Sequence, residues 1–338
     1  MTKTKISSLE RRIANIGRKH RYLNLNVGEV SLPTSDESEE HKHNMYIFES
    51  KKFDPEKPYI TIAAGVHGDE PDGITGVLEF LERNSDNQEL MSMANYTIIP
   101  MVNLQAIEQG QRNVDGDIGR QFGKKHQDDP VLRMVERIVG DRPVDFFVDV
   151  HGERFKGVCF YVQEQTYKRG RKKVELPQIP EMIVKDLKQK SMKIYSGRGN
   201  NLGGTLRSQG VIQTDAREKG TFESYMYRNG AAVSMTLEYP AGLKRCDTRR
   251  KYVYVPLESG IRHFAGLFPE YKDVIRKRCS LMRMEEYRAH GEKVMRMRLR
   301  SGIRLLRLYK DKNSSRTLIR WENIYGRDSL SLWIRKAT

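Results

Sequence analysis

Tyr59-Ile60-Thr61-Ile62-Ala63-Ala64-Gly65-Val66-His67-Gly68-Asp69-Glu70 opens as a strand and closes as a turn. Residues 59–64 are apolar and β-prone, and Gly65 and Gly68 let the backbone bend sharply on either side of His67. Pro71 and Asp72 suit the first turn of a helix, so the run reads as a strand feeding a helix beside a crevice. His67 and Glu70 stand three apart there, a spacing that suits two metal ligands. The pair alone decides little, because His and Glu often fall three apart on ordinary surfaces.

A second apolar run, Val144-Asp145-Phe146-Phe147-Val148-Asp149-Val150-His151, also ends in histidine. Two imidazoles and one carboxylate make the three-ligand set of a catalytic zinc site, with the fourth position left for water or substrate. His67, Glu70 and His151 are therefore the expected ligands. A hydrolytic centre also needs a base for the proton of water and an acid for the leaving amine, and one carboxylate can serve as both. Glu238 ends a third strand-like run, Ala231–Leu237, and Tyr239-Pro240-Ala241-Gly242 stops the strand just after it. A solvated strand-end glutamate is the plain alternative.

A Gly- and Asp-rich segment, Gly110-Gln111-Arg112-Asn113-Val114-Asp115-Gly116-Asp117-Ile118-Gly119-Arg120-Gln121-Phe122, follows Asn103-Leu104-Gln105-Ala106 and carries two arginines eight residues apart. A guanidinium can clamp a carboxylate with two parallel hydrogen bonds, or stabilise the oxyanion formed when water attacks an amide. In so basic a chain, Arg112 and Arg120 could equally be surface charges.

In the order His-Gly-Asp-Glu, Asn-x-x-Ala, Arg-x-x-x-x-Asp-x-x-Arg-x-Phe, Asp-x-His and Thr-x-Glu, the chain resembles the zinc carboxypeptidase superfamily over roughly residues 58–242. The Arg112–Asp117 spacing and Ala106 are similar to the succinylglutamate desuccinylase and aspartoacylase branch, whereas Asp149–Gly152 and Thr236–Pro240 look at least as much like true carboxypeptidases. The resemblance implies one zinc ion per chain on His67, Glu70 and His151, with Glu238 as general base and acid. It implies that Arg112 polarises the scissile carbonyl, that Arg120 grips a free carboxylate of the substrate, and that Asp117 accepts a hydrogen bond from the outer ring nitrogen of His67. Asn113, beside Arg112, counts as a second substrate-binding residue. One departure is Gly119, where the family usually places an asparagine that donates to the carboxylate. The implied activity is hydrolysis of an amide bond, in an N-acyl amino acid or at the carboxyl end of a peptide.

Strand patterns near 59–64, 96–102, 144–150, 158–162 and 231–237 alternate with helical patterns near 71–83, 130–140 and 179–190. This predicts an α/β three-layer sandwich with a mixed, mostly parallel sheet, the zinc carboxypeptidase-like arrangement, carrying a basic C-terminal appendage. Residues 1–44 read as an early strand and an exposed loop containing the acidic run Ser35–Glu40, residues 45–270 as the catalytic domain, and residues 271–338 as a basic helix over 276–300 followed by a small β appendage.

At 338 residues with 38% hydrophobic content the chain can bury a sizeable core. Cys159, Cys246 and Cys279 are odd in number and far apart, so they read as reduced and structural rather than as zinc ligands. No apolar stretch is long enough to span a bilayer and no secretory signal follows Met1, which predicts a cytoplasmic protein. Charge is uneven: from Tyr271 onward 19 Lys and Arg face 7 Asp and Glu, which is +12 of the net +16. With Trp321, Tyr325 and Trp333 interleaved, that tail could bind nucleic acid or an anionic surface on an inactive scaffold. No nucleic-acid motif is present, and a scaffold that had lost its chemistry would have no reason to keep His67, Glu70, His151 and Glu238 together. A second basic run, Lys168–Lys173, reads as an exposed loop, and the basic content of the insertion from about 163 to 215 points to an acidic or anionic substrate.

Overall fold

The structure, a computed structural model, describes residues 3–33, 40–114, 116–123, 129–140, 144–169, 172–197, 204–214, 220–279, 284–289, 292–297, 304–310, 316–323 and 329–335, with side chains beyond Ile275 left aside. Its elements run α1 Lys3–Lys19, β1 Leu23–Pro33, β2 Glu40–Ser50, β3 Tyr59–Ala64, α2 Pro71–Arg83, α3 Gln88–Met91, β4 Asn95–Ile99, α4 Leu104–Gln109, α5 Pro130–Gly140, β5 Phe146–Glu153 and β6 Cys159–Glu164. There follow β7 Thr166–Arg169, β8 Lys172–Glu175, α6 Ile179–Gln189, β9 Gly204–Ser208, β10 Val211–Thr214, α7 Phe222–Arg228, β11 Val233–Pro240 and the long α8 Cys246–Cys279. Five further strands close the chain: β12 Met284–Ala289, β13 Glu292–Met297, β14 Arg304–Lys310, β15 Arg316–Asn323 and β16 Ser329–Arg335.

Nine strands form one sheet in the order β1-β2-β4-β3-β5-β11-β6-β10-β9. The middle, β4-β3-β5-β11, is parallel throughout, β6-β10 is also parallel, and β1-β2, β2-β4, β11-β6 and β10-β9 pair antiparallel, so the sheet is mixed with a parallel centre. All six residues of β3 and the first six of β5 are buried, which requires cover on both faces. Neighbouring residues of β5 show what supplies it. Phe146 stacks on Phe264 of α8, with ring centroids 5.1 Å apart, and Phe147 packs at 4.6 Å on Phe222 of α7. Because side chains alternate across a strand, Asp149 and His151 face the α7 side with Phe147, whereas Val148 and Val150 face α2 and α8.

Two expectations at the ends of the chain need correction. Residues 3–19 form a helix, not part of an early strand and loop. Ile6, Leu9, Ile13 and Ile16 make the helical stripe, the last three are buried, and Arg12 clamps Glu82 of α2 through bonds of 2.7 and 2.6 Å. The acidic run at 35–40 lies almost wholly outside the described residues. In place of a helix over 276–300, α8 stops at Cys279, and β12 and β13 pair antiparallel with Ala289 opposite Glu292. In β13, Met295 and Met297 stand on either side of Arg296 at the two-residue period of a strand, which outweighs helix propensity there. β12 to β16 form a five-stranded antiparallel sheet, and the side chains of Trp321, Tyr325 and Trp333 lie outside the described ones. Of the basic run at 168–173, read above as an exposed loop, Lys168 and Arg169 end β7 and Lys172 and Lys173 begin β8, and these strands pair antiparallel. No helix among the described residues is long and apolar enough to cross a membrane.

The turn after β3 is held by the segment after β4. The Val102 and Asn103 N–H groups donate to the Ala64 and Gly65 carbonyls at 3.0 and 2.8 Å, and Asn103 caps α4 by accepting from the Ala106 N–H at 3.1 Å. Gly65 sits at φ +72°, where L side chains are strained. Gly68 lies so close to α4 that an added Cβ would stand 2.0 Å from the Ala106 carbonyl oxygen. Gly68→Ala is therefore expected to destabilise the fold by about 3 kcal/mol, measured as a shift in the denaturant midpoint at constant slope. A midpoint unchanged within error would show that this backbone contact yields freely.

Candidate metal centre and cavity

Three adjacent parallel strands carry the site at their carboxyl ends. His67 lies three residues past the end of β3, His151 lies in β5, and Glu238 lies in β11 directly opposite His151 in register. Glu70 precedes Pro71 at the start of α2. His67, Glu70 and His151 are buried, and each offers a ligand atom within 4.8 Å of the others. His67 Nδ1 stands 2.9 Å from one Glu70 oxygen, and His151 Nδ1 stands 3.1 Å from the other. The two Nδ1 atoms lie 3.1 Å from each other.

The outer nitrogens decide the tautomers. His67 Nε2 faces Asp117 at 3.2 Å, and His151 Nε2 faces Asp149 at 2.8 Å. A carboxylate accepts, so each Nε2 carries the hydrogen and each Nδ1 is left to turn a lone pair inward. Two lone pairs 3.1 Å apart beside a carboxylate repel unless a cation stands among them. Protonation trends agree. Burial opposes charging His67, but hydrogen bonds to Asp117 and Glu70 outweigh it and raise its pKa. Burial opposes His151 as well, yet Asp149 and Glu70 hold it well above the ordinary histidine value. Glu70 is also buried, and the charges and hydrogen bonds of the two histidines hold it far below the usual carboxylate range. The cluster demands positive charge, and its donor set of two imidazoles and a carboxylate fits a zinc-type divalent ion.

The Gly152 N–H and Arg112 Nη1 donate to Glu70 at 2.9 and 2.8 Å, fixing the carboxylate from outside the cluster. Arg112 is about half exposed, at 52%, and Arg120 is 78% exposed with its Nε 3.6 Å from Asp117. A cavity of about 420 Å³ joins these groups: His67, Arg112, Asp117, Arg120, His151 and Glu238 all line it. Burial pushes Glu238 up to about 8; His151 counteracts part of this, while Glu70, Glu153 and Asp149 add to it. A carboxylate that gains and loses a proton near neutrality suits a base that later acts as an acid.

Asn113 is not among the lining residues, and its buried Oδ1 finds no partner among the described residues, so the structure does not bring it to the cavity as expected. Gly119 does line it. A Cβ there would lie 3.0 Å from Asp117 Oδ1 and 3.4 Å from His67 Nε2, crowding the bond that orients His67. The Asp-x-His motif contains Asp149 without a role assigned to it, although Asp149 and His151 two apart on one strand share a face. Glu153, Tyr161, Thr214 and Glu223 were not singled out and Thr236 had no role assigned, yet all five line the cavity. Thr236 could have been found by the same parity from Glu238. Tyr225, an aromatic ahead of Glu238, packs on Phe122 at 5.9 Å.

A mixed sheet covered on both faces, with a His-Glu-His cluster at the ends of its central strands, defines a carboxypeptidase-like fold with a metal site. A structure from Shewanella amazonensis, provisionally described as a metallopeptidase, superposes with a TM-score of 0.59 at 21% identity, covering 77% of this chain and 93% of the other. One from Shewanella denitrificans, described in the same way, gives 0.58 at 20% identity over 77% and 90%. A metallo-carboxypeptidase from Burkholderia cenocepacia gives 0.54 at 12% over 79% and 70%. No curated protein matches the sequence. Residues 56–248 match the succinylglutamate desuccinylase/aspartoacylase catalytic domain, and the chain belongs to that family.

Metal binding should compete with protons at the two histidines. Both pKa values are raised, so the metal-free protein holds protons that an ion displaces, and Zn2+ affinity should rise with pH through their titration. Asp149→Asn should weaken Zn2+ binding by about 10–100-fold in a chelator competition, since it loosens the orientation of His151. Affinity independent of both pH and Asp149 would mean that the ion sits elsewhere.

Proposed function

We propose that this protein is a zinc-dependent hydrolase of the amide bond in an N-acyl amino acid. The observation that carries the reading is the convergence of His67, Glu70 and His151 with Glu238, raised to about 8, in one cavity that also meets Arg112 and Arg120. His67, Glu70 and His151 would hold the ion, which when bound supplies Lewis acidity toward a carbonyl oxygen and toward water. Glu238 takes the proton of the attacking water and returns it to the departing amine. Arg112 is anchored by one nitrogen on Glu70, and its remaining N–H groups, unpartnered among the described residues, donate to the oxyanion that develops on the substrate carbonyl. Arg120, exposed at the cavity wall, takes the free carboxylate of the amino acid. Asp117 and Asp149 keep the imidazoles turned inward throughout.

Removal of a C-terminal residue from a peptide is the second reading. Such a residue is itself an N-acylated amino acid, and the exposure of Arg112 and Arg120 gives a longer acyl chain a way out to solvent.

The test is metal content of the purified protein, with hydrolysis of N-acyl amino acids and short peptides measured with and without a chelator. One zinc per chain and chelator-sensitive cleavage are expected. Glu238→Gln should lower kcat by about 10²–10⁴-fold with the metal retained. An unchanged kcat would remove Glu238 from its role, and a protein that takes up no metal would overturn the reading as a whole.

A further inference from the structure

We propose that three segments beside the cavity form a surface for single-stranded nucleic acid, with exposed cations for the backbone phosphates and a half-buried aromatic pair on which a base stacks. This goes beyond the amide-hydrolase reading and does not depend on it.

Two of the segments leave the carboxyl ends of the strands that carry His151 and Glu238. One is Arg154-Phe155-Lys156-Gly157, between β5 and β6, and the other is Ala241-Gly242-Leu243-Lys244-Arg245, between β11 and α8. Their backbones hold each other. The Ala241 N–H donates to the Glu153 carbonyl at 2.8 Å, and a Cβ on Gly242 would lie 3.4 Å from the Arg154 carbonyl oxygen. The third segment, Lys193-Ile194-Tyr195, joins the first in the manner of a short strand. The Val158 N–H donates to the Lys193 carbonyl at 3.0 Å, and the Tyr195 N–H donates to the Val158 carbonyl at 2.9 Å. Glu153, which opens the first segment, lines the cavity, so the surface adjoins its rim.

The side chains gathered there are of two kinds. Arg154, Lys156, Lys193, Lys244 and Arg245 are all exposed, and among the described residues none of them pairs with a carboxylate. The carboxylates nearest in sequence are engaged elsewhere: Glu153 accepts from the Arg154 N–H and lines the cavity, and Asp247 pairs with Arg250. Between the cations stand Phe155 and Tyr195, with ring centroids 4.4 Å apart and planes tilted by 32°. Both are half-buried, and neither belongs to the hydrophobic core or packs against it. Arg154 and Lys156 flank the phenylalanine, and Lys193 lies two residues before the tyrosine.

Like charges brought together without counter-charge repel, and aromatic rings left outside the core keep apolar surface in water. A single strand of nucleic acid answers both at once, since its phosphates meet the cations and its bases offer flat faces to the rings. An acidic peptide would answer the cations alone. These cations are distinct from the basic segment after Tyr271, so the two can be told apart by substitution.

The experiment follows fluorescence anisotropy of a labelled oligouridine of about 12 nucleotides with the full-length protein, over a series of salt concentrations and with poly-L-glutamate as competitor. The same oligomer carrying 4-thiouridine is photocrosslinked to wild-type protein and the crosslinked peptides are mapped. Wild type should bind the oligomer, and the crosslinks should fall on the peptides that contain Phe155 or Tyr195. Lys156→Gln combined with Lys244→Gln should lower the slope of log affinity against log salt by about 0.7 per charge removed. Phe155→Leu keeps apolar bulk but removes the ring, and it should weaken binding by about 5-fold or more with the slope unchanged. No binding of the oligomer by wild type would overturn the proposal. Crosslinks confined to residues after Tyr271, with the variants binding like wild type, would overturn it in favour of the basic tail. Displacement by poly-L-glutamate at equal charge, with Phe155→Leu unchanged, would overturn it in favour of an acidic peptide. The crosslink map of the wild type decides the matter even if a variant does not fold.

Discussion

Two imidazole nitrogens turned toward each other and toward one carboxylate, all buried, form the constraint on which the rest of this structure depends. Their Nδ1 atoms are 3.1 Å apart, and nothing in a low-dielectric interior favours that contact except positive charge placed between them. Asp117 and Asp149 enforce the arrangement by taking the outer ring hydrogens. Gly152 and Arg112 enforce it at Glu70. The supporting groups come from β5, from the loop that ends near Arg120 and from the turn into α2, so the centre of the sheet and two connecting segments converge on one point.

The sheet makes this possible because β3, β5 and β11 are parallel neighbours. Their carboxyl ends lie side by side, and alternation along each strand sends one set of side chains to α2 and α8 and the other to α7. Phe146 and Phe147 mark the division in consecutive residues. Fixing the phase of β5 by these rings fixes His151 as well, and a slip of one residue would turn the histidine into the opposite layer. The turn that delivers His67 depends on the absence of side chains. Gly65 supplies a left-handed backbone and Gly68 permits contact with α4, so the Asn103-x-x-Ala106 segment supports the turn that carries His67 rather than the chemistry itself.

Much of this was legible in the chain because strand ends and ligand types coincide locally. The runs ending at His67, His151 and Glu238 each show their strand, and the three ligands follow from residue type. Asp149 was equally legible by parity, two residues from His151. Glu223 was not, since it lies fifteen residues before Glu238 on another element, and α7 reaches the cavity through long-range contacts such as the Ser234 bond to the Glu223 carbonyl and the packing of Phe222 on Phe147. The helix at the N-terminus was hidden by its charge: Ile6, Leu9, Ile13 and Ile16 are separated by basic and polar residues that dominate composition but not packing. The strands after Cys279 show the reverse error, in which a basic run suggested a helix while its apolar residues kept a period of two.

Overall charge is not the charge that the cavity presents. The chain carries +16, the basic residues of the 163–215 insertion suggest an anionic substrate, and those after Tyr271 suggest an anionic surface or nucleic acid. The cavity wall itself holds Asp117, Asp149, Glu153, Glu223 and Glu238 against Arg112, Arg120 and the two histidines. Solvent and salt screen charges more than about 10 Å away, whereas a buried carboxylate acts at contact range and through little intervening water. A substrate entering the cavity therefore responds to those few groups and not to the sum over 338 residues. Two of its carboxylates are committed to the histidines, and the bound ion answers the cluster they support. What remains along the described wall is the arginine pair and the carboxylates of Glu153, Glu223 and Glu238, so groups of both signs line one cavity.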